Sequence, residues 1–94
     1  KTFGMFAGED ETVTLICEEA LTGVMIDRFG KEVAMRRYDE TRIRVRVSVA
    51  VSRQFFGWLA GLGAAVRIES PEPVVREYRE YLETILKTYG EQEL

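Results

Sequence analysis

The feature that most constrains the fold is the run RIRVRVSVAV at residues 42–51. Every second residue from Ile43 to Val51 is aliphatic, and arginine or serine occupies most of the positions between them. Because successive side chains of a β-strand point to opposite faces of the sheet, this period of two predicts a strand with one face in a core. The sheet that contains this strand is therefore expected to have one buried face and one polar face.

The other elements are predicted from periodicity and from residues that favour helix ends. Ser52 is a good N-cap, and Gly30 and Gly63 are natural residues to end helices. Pro71 suits the first position of a helix. The predicted elements are strands at 12–17, 33–38, 42–51 and 64–69 and helices at 18–29, 53–62 and 71–89.

The order β-α-β-β-α-β with one extra helix predicts an α+β domain of ferredoxin-like fold. In this fold four antiparallel strands form one sheet, and two helices cover one of its faces. We expect residues 12–94 to form this domain, with its last helix at 71–89. Residues 1–11 are interpreted as a linker from an upstream domain, because the chain begins at Lys1 rather than Met and contains glycines and an acidic run here.

Composition argues against several classes of function. The chain has 94 residues, no histidine and one cysteine, Cys17, which removes the usual zinc sites, histidine-based catalysis and an internal disulfide. Cys17 is expected to be a buried structural thiol. No phosphate-binding loop, signal peptide or membrane segment is visible, so we expect a cytoplasmic protein that is not an enzyme, with no cofactor and no membrane partner.

Charge is distributed unevenly along the chain, whose net charge is −3. Residues 1–70 are neutral, whereas residues 71–94 contain three Lys or Arg against six Asp or Glu. A neutral body with an acidic tail argues against a main role in binding duplex DNA, but it leaves room for a local basic patch.

The polar face of the predicted sheet is the first candidate site. Strand parity places Arg44 and Arg46 there, beside threonine hydroxyls of the first strand, and Arg67 joins from the fourth strand. Guanidinium groups on a flat face can hold phosphates, although no aromatic side chain is expected on this face. A solvated face and a docking face for the last helix or another domain remain alternatives. Parity leaves Arg36 and Arg37 both open for the second strand, and the candidate anion-binding residues are Arg36, Arg44, Arg46 and Arg67.

The second and third helices provide the second candidate site. Gly57 and Gly61 leave a bare strip on the second helix, which suits close packing or the approach of a partner. Phe56 lies off the apolar stripe of that helix and is predicted to be exposed beside the strip. Tyr78 and Tyr81 belong to the apolar stripe of the last helix, which packs either within the domain or against a second copy of the chain.

A family resemblance is carried by three stretches: FGMFAGE at 3–9, VAVSRQFFGWLAGLG at 49–63, and VRIESPEPVVREYREYLETILKTY at 66–89. Together they resemble the C-terminal extension of WYL-domain proteins. These are bacterial transcription regulators with an N-terminal helix-turn-helix, a WYL domain and a small last domain. The resemblance implies a ferredoxin-like, non-enzymatic module that assists dimer contacts and the sensing of a nucleic acid or nucleotide-like effector.

The partners implied by this resemblance are the upstream WYL and helix-turn-helix domains of the same chain and a second copy in a homodimer. The promoter would be bound by the parent regulator and not by this domain, and the effector would be a single-stranded nucleic acid or a nucleotide. Our first hypothesis is a regulatory module with an arginine-lined sensing face. A pure dimerisation or docking domain is the alternative, and a domain that binds amino-acid-sized ligands is a third.

Overall fold

The computed structural model describes residues 9–90 of the chain. Its strands and helices are β1 (Asp10–Glu18), α1 (Thr22–Phe29), β2 (Ala34–Arg37), β3 (Arg42–Ala50), α2 (Arg53–Gly61), β4 (Val66–Ser70) and α3 (Glu72–Gly90). Short 3₁₀ turns at Glu19–Leu21 and Gly63–Ala65 precede α1 and β4. Residues 1–8 of the predicted linker lie outside the described residues, and the last part of the predicted linker, from Asp10, belongs to β1.

The four strands form one sheet in the order β2-β3-β1-β4, and each neighbouring pair is antiparallel. The two long strands, β1 and β3, occupy its centre and pair along their whole length, from Asp10 opposite Ala50 to Glu18 opposite Arg42. The short strands β2 and β4 form the edges, where unpaired backbone is tolerated best when the strand is brief. The predicted ferredoxin-like arrangement with a C-terminal helix is confirmed.

The core lies between the inner face of this sheet and the helices. The alternation read from the sequence is preserved, because Val45 and Val47 of β3 are buried opposite Leu15 and Val13 of β1. Cys17 belongs to the same buried cluster. The helices contribute large apolar side chains to it, and those that are almost fully buried are Met25, Phe55, Phe56, Leu59 and Val74.

Aromatic contacts connect the three helices across this layer. The ring of Phe29 in α1 meets Trp58 in α2 edge-on, with centroids 5.4 Å apart. On the other side of α2, Phe56 lies 5.1 Å from Tyr78 and 5.4 Å from Tyr81, both in α3. The prediction that Phe56 is exposed is therefore wrong: α3 packs over it and leaves it 0% exposed.

The last helix is packed over only part of its length. Val74 is fully buried, and Tyr78 and Tyr81 are partly buried against the core. Beyond them the apolar stripe continues in solvent, since Leu82 is 39% exposed and Tyr89 is 71% exposed. The C-terminal half of α3 thus extends past the domain that its N-terminal half covers. No helix among residues 9–90 is long and apolar enough to cross a membrane.

The first helix begins later than its sequence pattern predicts. Glu18 ends β1, and the backbone N–H of Glu19 donates to the carbonyl of Thr41 at 2.9 Å, which extends the contact with the β2–β3 turn. A 3₁₀ turn then leads into α1 at Thr22, whose hydroxyl donates to the carbonyl of Glu19 at 2.7 Å. Because of this tertiary hydrogen bond, residues 18–21 do not join the helix that their sequence pattern predicts.

Candidate functional site

The register of the sheet brings the four predicted arginines together on its outer face. Arg36 of β2 lies opposite Arg44 of β3, which lies opposite Ile16 of β1, and Ile16 lies opposite Arg67 of β4. Three arginines and one isoleucine therefore form a row across all four strands. Arg46 stands in the next row, opposite Thr14.

The register also decides between the two arginines of β2. Arg37 lies opposite the inward-facing Ile43, so Arg36 is the residue on the outer face. Arg37 instead pairs with Glu19 at 3.2 Å and donates to carbonyls of the β2–β3 turn.

An aromatic ring lies on this face, contrary to the sequence-based expectation. The backbone N–H of Tyr38 donates to the carbonyl of Arg42, which extends the β2–β3 pairing by one residue and keeps Tyr38 on the outer side. The guanidinium carbons of Arg42 and Arg44 lie 5.0 Å and 4.9 Å from the centre of its ring, within the range of cation–π attraction. Nη2 of Arg67 lies 3.5 Å from its hydroxyl oxygen. The sequence signal was the position of Tyr38 two residues after Arg36, which gives the two side chains the same parity at the end of the predicted strand.

An ion pair joins β3 to β4 over the strand between them. Nε and Nη2 of Arg44 donate to the two carboxylate oxygens of Glu69, at 2.8 Å and 2.9 Å. This hydrogen-bonded pairing holds the pKa of Glu69 below its usual range, with a smaller contribution from the charge of Arg67, and it raises the pKa of Arg44. The charge of Arg44, directly opposite the like charge of Arg36, is thereby balanced.

The same bridge protects an apolar residue on the polar face. Ile16 is only 2% exposed although it points away from the main core cluster. Its register neighbours are Arg44 and Arg67, and the Arg44–Glu69 pair crosses over β1. The aliphatic parts of these long side chains therefore cover Ile16 while their charged ends stay in water.

A second ion pair fixes the turn at one end of the face. Oδ1 of Asp39 accepts from the backbone N–H groups of Thr41 and Arg42, and Oδ2 accepts from Nε and Nη2 of Arg42 at 2.9 Å and 2.6 Å. These bonds, chiefly the one from the Arg42 side chain, lower the pKa of Asp39 to about 2. The turn between β2 and β3 is thus held in one conformation.

The other three predicted arginines of the outer face are accessible to a ligand. Arg36 and Arg46 are exposed and form no ion pair within residues 9–90. Arg67 is exposed too, with the hydroxyl of Tyr38 as its side-chain contact. The face therefore presents three accessible guanidinium groups around a centre that Glu69 neutralises.

The residues of the second predicted site have different roles in the structure. Phe56, Tyr78 and Tyr81 contact one another inside the molecule, so they are used for packing α3 onto α2. An added Cβ at Gly57 would lie 3.6 Å from the hydroxyl of Tyr81, and one at Gly61 would meet nothing within 4 Å. The bare strip is therefore not required by contacts within the described residues.

A groove that the sequence did not predict lies between β4, α3 and the end of α2. Val66 and Ile68 form its floor on the strand side, and Tyr78 and Leu82 line its helical side. It continues into the exposed stripe of α3, and apolar surface predominates in it.

Neither a cluster of metal ligands nor an activated thiol is seen in the part of the chain that the structure describes. No group of three or more metal-ligating side chains occurs within residues 9–90. Burial, and to a smaller degree the neighbouring charge of Glu18, raises the pKa of the Cys17 thiol, which disfavours the reactive thiolate.

Comparison with known protein families identifies the chain. The family model of the WCX domain matches residues 9–86. The chain belongs to the WCX domain family. WCX domains are C-terminal domains of WYL-type regulators, in agreement with the resemblance seen in the sequence. Searches of curated proteins and of solved structures gave no significant match.

Proposed function

We propose that this WCX domain contributes the outer face of its sheet to the response of a WYL-type regulator to a nucleic acid or nucleotide-like anion. The observation that carries this proposal is the cluster of exposed guanidinium groups of Arg36, Arg46 and Arg67 around the Arg44–Glu69 pair. Arginine forks suit phosphate oxygens, and clustered cations suit a ligand with several phosphates. The domain would act without catalysis and without a cofactor.

Tyr38 adds a second kind of contact to this face. Its ring lies among the same arginines, and aromatic rings on open sheets can stack on unpaired bases. A flat face with cations and one ring fits a single strand better than a duplex, whose bases are already stacked. Promoter DNA would then be bound by the helix-turn-helix of the parent regulator and not by this domain.

The test is an amide NMR titration of the 94-residue chain with a thymidine dodecamer and with nucleotides, at low and moderate salt. We expect salt-sensitive shifts on β2, β3 and β4. The double variant Arg36→Ala/Arg46→Ala should weaken binding and make the slope of log affinity against log salt shallower by about 0.7 for each phosphate contact that is lost.

A matched control removes two exposed arginines from the helical side. Arg53 of α2 and Arg76 of α3 form no ion pair within residues 9–90, so Arg53→Ala/Arg76→Ala changes the net charge equally. Equal loss of affinity in the two double variants would mean that binding reflects net charge alone. Absence of any shift on the sheet would contradict the proposal.

A second function, assembly, is favoured by a different observation. The exposed stripe of α3 comprises large apolar side chains at helical spacing on one side of the helix, and these are Leu82, Ile85, Leu86 and Tyr89. Stripes of this kind commonly mark a protein–protein contact. We infer that α3 docks against a second copy or against another domain of the parent regulator.

A further inference from the structure

Glu69 holds a special position among the carboxylates of the domain. Within residues 9–90 it is the one carboxylate that forms an ion pair with any of Arg36, Arg44, Arg46 and Arg67. It binds through both oxygens to Nε and Nη2 of Arg44, which is the fork that would receive two oxygens of a phosphate. The protein thus places its own anion at the centre of the candidate anion-binding face.

The pairing of β4 with β1 is irregular at Glu69. Thr14 lies opposite Ser70 and Leu15 lies opposite Ile68, so Glu69 is the extra residue of an irregularity in the β1–β4 pairing. Irregularities of this kind re-aim a side chain, and they are common at sheet edges next to functional sites. Glu69 therefore lies at an irregular point of the sheet edge, where it reaches Arg44 across β1.

The Arg44–Glu69 ion pair is exposed enough for a ligand to take the place of the carboxylate. The side chains of Arg44 and Glu69 are 37% and 30% exposed, and ion pairs in contact with water are held weakly. Exposed Arg67 stands two residues before Glu69 and already lowers the pKa of its carboxyl group, so a cation is present for the displaced carboxylate. A ligand that takes Arg44 would therefore not leave Glu69 without a partner.

We propose that Glu69 is an internal competitor that sets a threshold for binding at this face, an inference that rests on the proposed function. A single phosphate would gain the guanidinium group of Arg44, but it must first displace the Glu69 carboxylate. That carboxylate is held close to Arg44 because both residues belong to the same folded chain. A ligand with several phosphates gains Arg36 and Arg46 as well, and these extra contacts offset the displacement. Glu69 thereby keeps a single phosphate from occupying the face at concentrations at which a polyanion still binds.

The test compares the chain with its Glu69→Gln variant, using a thymidine dodecamer and inorganic phosphate as probes. We expect the variant to bind the dodecamer about two- to fivefold more tightly, from the usual strength of an exposed ion pair. The salt slope should stay unchanged, because Arg44 contacts a phosphate of the dodecamer in both complexes. Inorganic phosphate should shift the Arg44 Nε–H resonance in the variant and not in the wild-type chain.

Three further variants separate competition from a general change of charge. Glu80→Gln removes an exposed carboxylate from α3, and it should leave affinity within twofold. In Arg44→Ala/Glu69→Gln the gain should vanish, because the fork is absent. Glu69→Ala should reproduce the gain of Glu69→Gln, and thermal unfolding of each variant verifies that it is folded.

The outcomes distinguish this inference from the proposed function. If the wild-type chain binds the dodecamer and Glu69→Gln binds it no more tightly, the competitor role is overturned while the sensing face stands. An equal gain in Glu80→Gln or in the Arg44→Ala/Glu69→Gln variant would also overturn it. Absence of binding by both the wild-type chain and Glu69→Gln would overturn the proposed function and this inference together.

Discussion

Arg44 and Glu69 meet over a strand that lies between them: the guanidinium of β3 donates to the carboxylate of β4 at 2.8 Å and 2.9 Å, above β1. The pair balances a charge in the middle of an arginine row and also covers Ile16. The sequence pattern indicates only a row of exposed arginines on this face. In the structure their side chains also pack over a buried apolar residue.

Ile16 should behave as a core residue although it lies on the polar face. Because it is 2% exposed, Ile16→Ala leaves a cavity beneath the arginine side chains and should lower the free energy of unfolding by about 2–4 kcal/mol. Urea unfolding followed by circular dichroism measures this loss. The control Thr12→Ala, at an exposed position on the same face of β1, should change it by less than about 0.5 kcal/mol. Equal effects of the two substitutions would mean that the polar face does not shelter Ile16.

The turn held by Asp39 should make stability depend on pH. The pKa of Asp39 in the folded chain is about 2, below its ordinary value of 3.8. A carboxyl group whose pKa is lowered by folding stabilises the folded state above its unfolded pKa, and this contribution is lost as the pH falls through the folded pKa. Urea unfolding should therefore show Asp39→Asn less stable than the wild-type chain at pH 7, with the difference shrinking from about pH 4 towards about pH 2.

The control for this pH dependence is Asp27→Asn, which removes an exposed carboxylate of α1 that forms no ion pair within residues 9–90. At pH 7 it should destabilise the chain less than Asp39→Asn does. A direct NMR titration of the Asp39 carboxyl carbon should give a value near 2, and Arg42→Ala should move it upwards. Equal stability of Asp39→Asn and the wild-type chain at pH 7 would contradict the interpretation.

Phe56 should be essential for attaching α3 to α2. Its ring is fully buried between the helices and contacts Tyr78 and Tyr81, so Phe56→Ala should lower the free energy of unfolding by about 3–5 kcal/mol. The exposed neighbour Gln54 in the same helix provides the control, and Gln54→Ala should be close to neutral. A small loss at Phe56, well under 1 kcal/mol, would show that α3 is not held to α2 in this way.

The helical glycines should be replaceable without loss of stability. Gly57→Ala places a methyl group 3.6 Å from the hydroxyl of Tyr81, an ordinary contact, and Gly61→Ala places one in open space. Since alanine favours a helix, each should raise the free energy of unfolding by about 0.5–1 kcal/mol. Gly63 is the contrast, because its φ of +67° suits glycine, and Gly63→Ala should destabilise the chain. Destabilisation by Gly57→Ala would mean that the helices pack more closely there.

The exposed stripe of α3 should drive association if the assembly function is right. Sedimentation equilibrium of the 94-residue chain should then show a concentration-dependent dimer, and Leu86→Lys should weaken it at least about tenfold. Thr84→Lys adds the same charge at another exposed position of the helix and should leave the dimer intact. A strict monomer at millimolar concentration would exclude self-association through this stripe, and docking to another domain would be the remaining form of the proposal.

Much of the fold follows from local sequence patterns. The alternation at 42–51 determines which side of β3 is buried, because a strand cannot present its aliphatic set to the core in any other register. Ser52 caps α2 as predicted, with its hydroxyl accepting from the N–H of Phe55 at 3.2 Å. Gly30 and Gly63 adopt positive φ angles after helices, where residues with a Cβ are strained. Strand parity was likewise sufficient to put Arg44, Arg46 and Arg67 on one face.

Tertiary structure alone decided what those arginines contact. Nothing local to β3 indicates that Arg44 meets Glu69, because the two residues are 25 positions apart and are joined only by the strand order β3-β1-β4. The register of β2, which is not encoded in the alternation of β2 itself, assigns Arg36 rather than Arg37 to the outer face. Phe56 is buried because α3 packs against α2, and the residue pattern of α2 alone does not predict this contact. Periodicity fixes the face of each element, whereas contacts between elements depend on pairing across long stretches of chain.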